Sequence, residues 1–204
     1  PLPDKPSVAV LPFDNMSGDP EQEFFADGMT EDLITDLSKV SGLFVVARNS
    51  TFAYKGKAVD IPDFARRMGV RNVIEGSVRK AGDRIRVTAQ LVEVNTDTHL
   101  WSETYTRQLD DIFAVQDEIA GKVVAALKLQ FLGDCGHATR ETNPEAYELY
   151  LQGRQLNRLH TEAGYRQGLD TLQRALAKDP GYAPAWVGLA LVYFNLAGRG
   201  MTPV

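Results

Sequence analysis

The side chains best suited to nucleophilic or metal chemistry are one cysteine and three histidines. Cys135 lies two residues before His137, His99 lies at the start of a predicted strand, and His160 lies in a predicted turn. A zinc site needs more cysteine or histidine ligands, and a reactive thiolate needs a fixed electropositive setting. The small, polar segment around Cys135 offers neither, and no G-x-S-x-G motif occurs. These residues therefore predict no catalytic site and no metal site.

Phosphate and calcium loops are also missing from the sequence. Neither G-x-x-x-x-G-K-S/T nor G-x-G-x-x-G occurs. Asp14 and Asp19 flank Gly18, but their spacing does not fit a calcium-binding loop. Asp19 followed by Pro20 is instead typical of a helix start, with the aspartate as cap and the proline in the first turn. No cofactor is predicted.

A ligand or interface site is expected at the carboxyl ends of the first two predicted strands. In open α/β sheets, ligands bind beyond the carboxyl ends of parallel strands. Polar residues follow both strands, and Lys55 is expected to approach them together with Asp27. The candidates are Asp14, Asn15, Ser17, Arg48, Asn49, Ser50 and Lys55. The same side chains could instead cap helices and close turns, and the sequence leaves both interpretations open.

Composition limits the classes of partner. The chain has 204 residues, 44% of them hydrophobic, and a net charge of -5. These values are ordinary for a globular protein, and the negative charge argues against nucleic-acid binding. A single cysteine excludes an internal disulfide and favours a reducing, cytoplasmic location. No apolar run approaches the roughly 20 residues that cross a bilayer, so no membrane segment is predicted.

The elements that must position these residues alternate between strands and helices. Phe25, Met29, Leu33 and Leu37 recur every four residues, which predicts an amphipathic helix. The predicted strands cover 7–13, 43–47, 73–80, 85–94 and 99–106, and the predicted helices of this part start near residues 20, 60 and 111. The order β-α-β-α-β-β-β-α predicts a mixed-sheet α/β (α+β) domain over residues 7–132, after a proline-rich linker at 1–6. Residues 133–142 are predicted to be a second linker.

Three helical patterns follow over residues 143–204, near 144–158, 163–177 and 183–196. Their spacing matches tetratricopeptide repeats, in which small residues sit where two helices cross and proline follows the second helix. The predicted repeat-core residues are Gly153, Ala175, Pro180, Trp186, Leu189, Ala190 and Tyr193. The stretch between Gly153 and Gly168 is longer than the repeat requires, so we expect a long inter-helix turn near residues 160–164.

The repeat region is predicted to be incomplete. It holds one full repeat and the first helix of another, whereas a stable array needs about three repeats. The helix at 183–196 should therefore expose an apolar face. We expect this face to pack on the α/β domain, on another copy of the chain or on residues at the end of the chain. The repeats are also expected to bind a protein partner. A homodimer is thus a further expectation.

Several strings in the first part resemble one family in order along the chain. They are Val8–Pro20, Phe24–Leu33, Arg48–Gly56, Val73–Arg79 and Thr98–Glu103. These strings resemble the TolB amino-terminal-like domain of bacterial signalling proteins, which is followed there by tetratricopeptide repeats. The resemblance covers about residues 6–132 and the repeats.

The resemblance implies a regulatory, protein-interaction role without catalysis in this segment. In that family the domain often lies behind a class III adenylate/guanylate cyclase, whose metal-binding residues belong to the other domain and to no position here. The residues of these strings look most like those of the cyclase-linked members. Alternatively, the chain could be the sensory region of a longer protein of another class, a CadC-like winged-helix transcription regulator. A small-ligand or nucleotide sensor that uses the Arg48 region is another alternative.

Overall fold

A mixed β-sheet forms the centre of the first part of the chain. The computed structural model describes residues 6–96, 98–127 and 143–199, and the chain divides into two units between residues 140 and 141. The strands of the first unit are β1 (Ser7–Val10), β2 (Asp14–Asn15), β3 (Phe44–Val45), β4 (Asn72–Ala81), β5 (Arg84–Glu93) and β6 (Thr98–Gln108). Its helices are α1 (Glu23–Ser38), α2 (Arg48–Phe52), α3 (Ile61–Met68) and α4 (Ile112–Ala126).

The sheet has the strand order β3-β1-β4-β5-β6, with the short β2 beside β4. β1 runs parallel to β3 and β4, and the pairs β4–β5 and β5–β6 are antiparallel. The connection from β1 to β3 runs through α1, and the connection from β3 to β4 runs through α3. Long helical crossovers are what parallel neighbours require. The predicted mixed α/β class is therefore confirmed.

The two faces of the sheet differ in polarity. Along β5, Ile85, Val87, Ala89 and Leu91 are buried on the face that α4 contacts. Thr88 and Gln90 point to the opposite face because side chains alternate along a strand. On that opposite face a smaller apolar cluster lies around α3, formed by Ala9, Leu11, Val46, Phe64, Ala65, Val70 and Val73. The rest of this face, beside the cluster, carries polar side chains.

Two short stretches differ from the sequence-based expectation. The second strand was expected to be a buried strand over 43–47, but only Phe44 and Val45 pair as β3. β3 ends the sheet, so Phe44 is 50% exposed. The polar residues that follow β3 form the short helix α2. The first strand was expected over 7–13, but β1 ends at Val10, and the separate two-residue strand β2 begins at Asp14.

The second unit contains the helices α5 (Pro144–Arg158), α6 (Glu162–Lys178) and α7 (Ala183–Gly198). The expected long turn at 160–164 is not observed, because α6 begins at Glu162 and the connection covers only 159–161. Thr161 caps α6 by accepting a hydrogen bond from the Gly164 amide at 3.0 Å. A Cβ at Gly164 would lie 2.6 Å from the Leu156 carbonyl oxygen, so glycine permits this tight connection.

Candidate functional site

Three carboxylates recur every four residues along α1, at Glu23, Asp27 and Glu31. This spacing puts them on one helix face. The Lys55 ammonium lies 2.6 Å from Asp27 Oδ1 and 2.9 Å from Glu23 Oε1. Burial raises the pKa of Asp27, although the hydrogen bond from Lys55 acts in the opposite direction. Lys55 is therefore held by two α1 carboxylates.

Arg48 is held in the same way at the far end of this row. Its Nε donates to the Glu31 carboxylate, whose side chain is only 7% exposed. Its guanidinium carbon also lies 3.7 Å from the centre of the Phe52 ring, within the range of a cation–π contact. These contacts fix α2 against α1. These contacts match the structural one of the two interpretations that the sequence left open for Arg48.

The other rim candidates are divided between turns and solvent. Asn15 Oδ1 accepts from the Ser17 amide, and Asn15 Nδ2 donates to the Asp19 backbone carbonyl. The Ser17 hydroxyl accepts from the Lys80 amide at 3.0 Å. Both side chains thus stabilise the turn after β2. Asn49 and Ser50 are exposed on α2.

Asp14 and Lys55, two of the rim candidates, line a common cavity. This cavity of about 410 Å³ lies over β4 and β5, beside the segment that follows α2. Its polar lining is Asp14, Lys55, Lys57, Glu75, Ser77, Thr88 and Gln90, and its apolar lining includes Leu11, Met16, Tyr54 and Val59. The volume is within the range of small-molecule sites, which also combine apolar walls with a few polar groups.

The floor of the cavity was not predicted from the sequence. Glu75 and Ser77 of β4 and Thr88 and Gln90 of β5 all lie on the polar face of the sheet. Gln90 Nε2 donates to Glu75 Oε1 across the two strands. Alternation along β5 indicated that Thr88 and Gln90 share one face of the strand. No pattern in the sequence indicated that the segment 54–59 would lie over that face and form the cavity wall.

In the second unit, some of the predicted repeat-core residues lie where the helices cross. A Cβ at Gly153 would lie 2.6 Å from Leu172 Cγ, so the absence of a side chain lets α5 and α6 approach closely. Ala175 is fully buried in α6. The Pro180 carbonyl accepts a hydrogen bond from the Trp186 indole at 2.9 Å, which joins the connection before α7 to the helix itself.

α7 is apolar on two sides. Ala185, Leu189, Val192 and Leu196 are buried, whereas Trp186, Val187, Leu191, Tyr193 and Phe194 are exposed large hydrophobic residues. We call these five residues the open α7 face. Ala190 is also exposed. Beside this face, a groove of about 210 Å³ runs between α7 and the earlier helices, lined by Tyr150, Leu172 and Val187 among others.

Of the residues considered for nucleophilic or metal chemistry, two are described: His99 belongs to the first unit and His160 to the second. In the described ranges 6–96, 98–127 and 143–199, no group of three histidine, cysteine or acidic residues is arranged to hold a metal ion. His160 Nδ1 lies 3.1 Å from the Tyr165 hydroxyl, a contact at the start of α6. His99 is exposed in β6. Cys135, His137 and the predicted linker at 133–142 lie outside the described residues.

One family matches more than half of the chain. Residues 4–122 match the family described as HilA/YgeH-like transcriptional regulator, second domain. The chain is also 52% identical over 208 residues to a Rhizobium meliloti (strain 1021) protein described as "Putative adenylate cyclase 3". That similarity covers 99% of the chain but only 35% of the relative. The chain therefore spans about a third of the length of this curated relative.

Solved structures with a similar fold have low sequence identity. TolB from Acinetobacter baumannii is 19% identical, with a TM-score of 0.45, over 61% of this chain and 29% of TolB. Lipoprotein GNA1162 from Neisseria meningitidis is 20% identical, with a TM-score of 0.44, over 58% of this chain and 96% of that lipoprotein. Similarities this weak carry no conclusion about function. Among the described residues, no helix is long and apolar enough to cross a bilayer.

Proposed function

This chain belongs to the family described as HilA/YgeH-like transcriptional regulator, second domain, and from that premise we propose that it is a non-catalytic, protein-binding regulatory region of a bacterial signalling protein. The relative described as an adenylate cyclase is 52% identical to this chain. That identity favours a parent that makes a cyclic nucleotide. A winged-helix transcription regulator is the alternative parent, and the family description supports it.

The observation that carries the protein-binding role is the open α7 face. α7 contains no charged residue from Ala183 to Gly198. A surface helix normally has a polar side toward solvent, whereas a helix that is apolar all round is normally buried on both sides. Phe194 is 74% exposed and Val187 is 61% exposed. Contiguous exposed apolar surface of this kind marks an interaction site. A tetratricopeptide-type array is the architecture that we propose for this region.

The test uses the full-length protein that carries this chain. We expect it to form cyclic nucleotide from ATP or GTP, and we expect the present 204-residue chain to form none. Val187→Asp together with Phe194→Asp should change the cyclic-nucleotide output of the full-length protein severalfold, because the regulatory contact is lost. The matched control is Arg174→Asp, which changes an exposed residue of α6.

The outcomes distinguish a full-length cyclase from a full-length transcription regulator. Sequence-specific DNA binding by the full-length protein, with no cyclic nucleotide formed, would favour the transcription regulator and contradict the cyclase parent. An output unchanged by the two aspartates would contradict the regulatory role of the open α7 face. Cyclic-nucleotide formation by the present chain alone would contradict the non-catalytic assignment.

A small-ligand sensor is a second candidate, because one cavity has a suitable size and lining. The cavity of about 410 Å³ joins a sheet floor with hydroxyl and amide groups to the Tyr54 ring and to two lysines. A thermal-shift screen with ATP, GTP and their cyclic monophosphates tests this role, since a ligand that binds the native state raises its melting temperature. A shift that disappears in Thr88→Val would favour the sensor. No shift with any of the four nucleotides would count against a nucleotide sensor.

A further inference from the structure

The two edges of the sheet in the α/β unit are unequal in length. β3 ends the sheet on one side with two paired residues, whereas β6 ends it on the other side with 11 residues. Among the described residues, β6 pairs only with β5. A long edge strand presents a row of outward backbone N–H and C=O groups, which is a template for pairing with another strand.

The side chains of β6 alternate between two faces in a way that is relevant to such pairing. Tyr105 lies opposite Val87 of β5 and is buried on the face that α4 contacts. Glu103 and Arg107 lie two residues on either side of it, so they share this face. Thr104 and Thr106 lie on the other face, and the Thr104 hydroxyl is 3.2 Å from that of Thr88.

Both charged side chains of this part of β6 already contact α4. Lys122 Nζ lies 3.1 Å from Glu103, and Arg107 lies 3.8 Å from Glu118. All four side chains are more than one third exposed. Each ion pair therefore remains open to a further opposite charge at the edge of the sheet.

We propose that β6 is a homodimer interface, in which two copies pair antiparallel about a two-fold axis at Tyr105. In this register, Glu103 lies opposite the partner's Arg107, and Arg107 opposite the partner's Glu103. Two alternating rows of charge would then cross the interface, each running from Lys122 through Glu103 to the partner's Arg107. Pairs of opposite charge directly across two strands are stabilising.

The charges of the strand select this register over its neighbours. If the helices of both copies cover the same side of the joined sheet, an odd-numbered residue must lie opposite an odd-numbered residue. An axis at Glu103 would oppose two identical carboxylates, which is destabilising. An axis at Tyr105 pairs both charges and runs over residues 102–108. On the other face, Thr104 would lie opposite the partner's Thr106, continuing the hydroxyl contact with Thr88.

The first test measures association in a Phe194→Asp background, so that the open α7 face does not contribute. Light scattering should give twice the 22.5 kDa chain mass. Arg107→Glu opposes like charges at two symmetric places and should weaken the dimer about tenfold or more. Adding Glu103→Arg to that variant should restore most of the association. Arg86→Glu is the matched control, since it reverses an exposed charge on the interior strand β5 and should leave association unchanged.

The second test reads the register directly and does not depend on the charge variants remaining folded. Thr104→Cys and Thr106→Cys chains, each also carrying Cys135→Ser, are mixed and oxidised. The mixture should form an interchain disulfide, whereas Ser102→Cys mixed with Thr106→Cys should not. A monomer at about 100 µM would overturn the proposal. A dimer that gives no 104–106 disulfide would overturn it as well, because the association would then use another surface.

Discussion

At the scale of single residues, the contacts of Arg48 predict a structural role for it. Its guanidinium lies between the Glu31 carboxylate and the Phe52 ring. Glu31 is buried in α1, so its negative charge depends on partners that water cannot replace. Removing one partner of a buried ion pair costs more than the pair contributes, because the other charge stays behind.

We therefore predict that Arg48→Met destabilises the α/β unit by about 2 kcal/mol, which is moderate for a pair of this kind because Arg48 itself is partly exposed. The neighbouring Asn49→Ala is the control and should change stability by less than about 0.5 kcal/mol, since Asn49 is exposed. Urea unfolding followed by Trp101 fluorescence in a Trp186→Phe background measures this unit. Equal effects of the two substitutions would contradict the structural role of Arg48.

We predict that the contribution of Asp27 to folding stability depends on pH. Burial raises its folded-state pKa above the ordinary value of 3.8. The folded chain therefore binds this proton more tightly than the unfolded chain, and the contribution of Asp27 to stability falls as pH rises through its folded pKa. We expect the stability of the natural chain relative to Asp27→Asn to increase as pH is lowered from 7 toward 4.

Urea unfolding of both proteins across this pH range measures the difference. Asp36→Asn supplies a comparison for a carboxylate near the end of the same helix, where Lys39 lies 2.8 Å away. A difference between the natural chain and Asp27→Asn that stays constant with pH, or that decreases toward pH 4, would show that Lys55 outweighs burial at this carboxylate.

At the scale of elements, the close approach of α5 and α6 depends on a missing side chain. A Cβ at Gly153 would lie 2.6 Å from Leu172 Cγ, and Leu172 is fully buried. We predict that Gly153→Ala destabilises the helical unit by about 1–3 kcal/mol, because overpacking outweighs the better helix propensity of alanine. Hydrogen exchange of peptides from residues 143–178 measures the effect.

Gly121→Ala is the matched control for this substitution. Gly121 lies inside α4, and an added Cβ would meet no atom within 4 Å. Alanine should therefore stabilise α4 by about 0.5–1 kcal/mol through helix propensity alone. Slower exchange in Gly153→Ala than in the natural chain would mean that α5 and α6 separate at little cost, and the crossing would then not depend on glycine.

The same scale shows what periodicity can predict. The alternation of β5 and the four-residue recurrence in α1 are local signals, and both elements form where the sequence places them. The Gly82 turn also follows, with the positive φ of 58° that favours glycine. The class of the α/β unit could be predicted because each of these signals is contained within one element.

The candidate site was harder to predict because it depends on contacts between distant segments. Lys55 meets Asp27 28 positions earlier in the chain, and no local pattern specifies that pairing. The row of acids along α1 was a readable signal for a partner of opposite charge, yet it could not identify Lys55 and Arg48. The short α2 has no periodic pattern of apolar residues that would predict a helix. It is held instead by the ion pair of Arg48 with Glu31.

At the scale of the whole molecule, apolar surface is unevenly distributed. Most large hydrophobic side chains of the described residues are buried, but α7 exposes Trp186, Val187, Leu191, Tyr193 and Phe194 together. Single exposed hydrophobic residues are normal on a protein surface, whereas a contiguous group marks an interface. The net charge of -5 favours repulsion between copies, and the open α7 face is where a protein partner is expected to bind.

We predict that Val187→Asp together with Phe194→Asp lowers dye binding and hydrophobic-column retention while changing the stability of the helical unit by less than about 0.5 kcal/mol. Both side chains are mostly exposed, so removing them creates no cavity. Val192→Asp is the contrasting variant on the same helix, since Val192 is fully buried and an unpaired buried charge should unfold the unit. If the two exposed positions proved as sensitive as Val192, their side chains would already be packed within this chain, and the open α7 face would not be available to a partner.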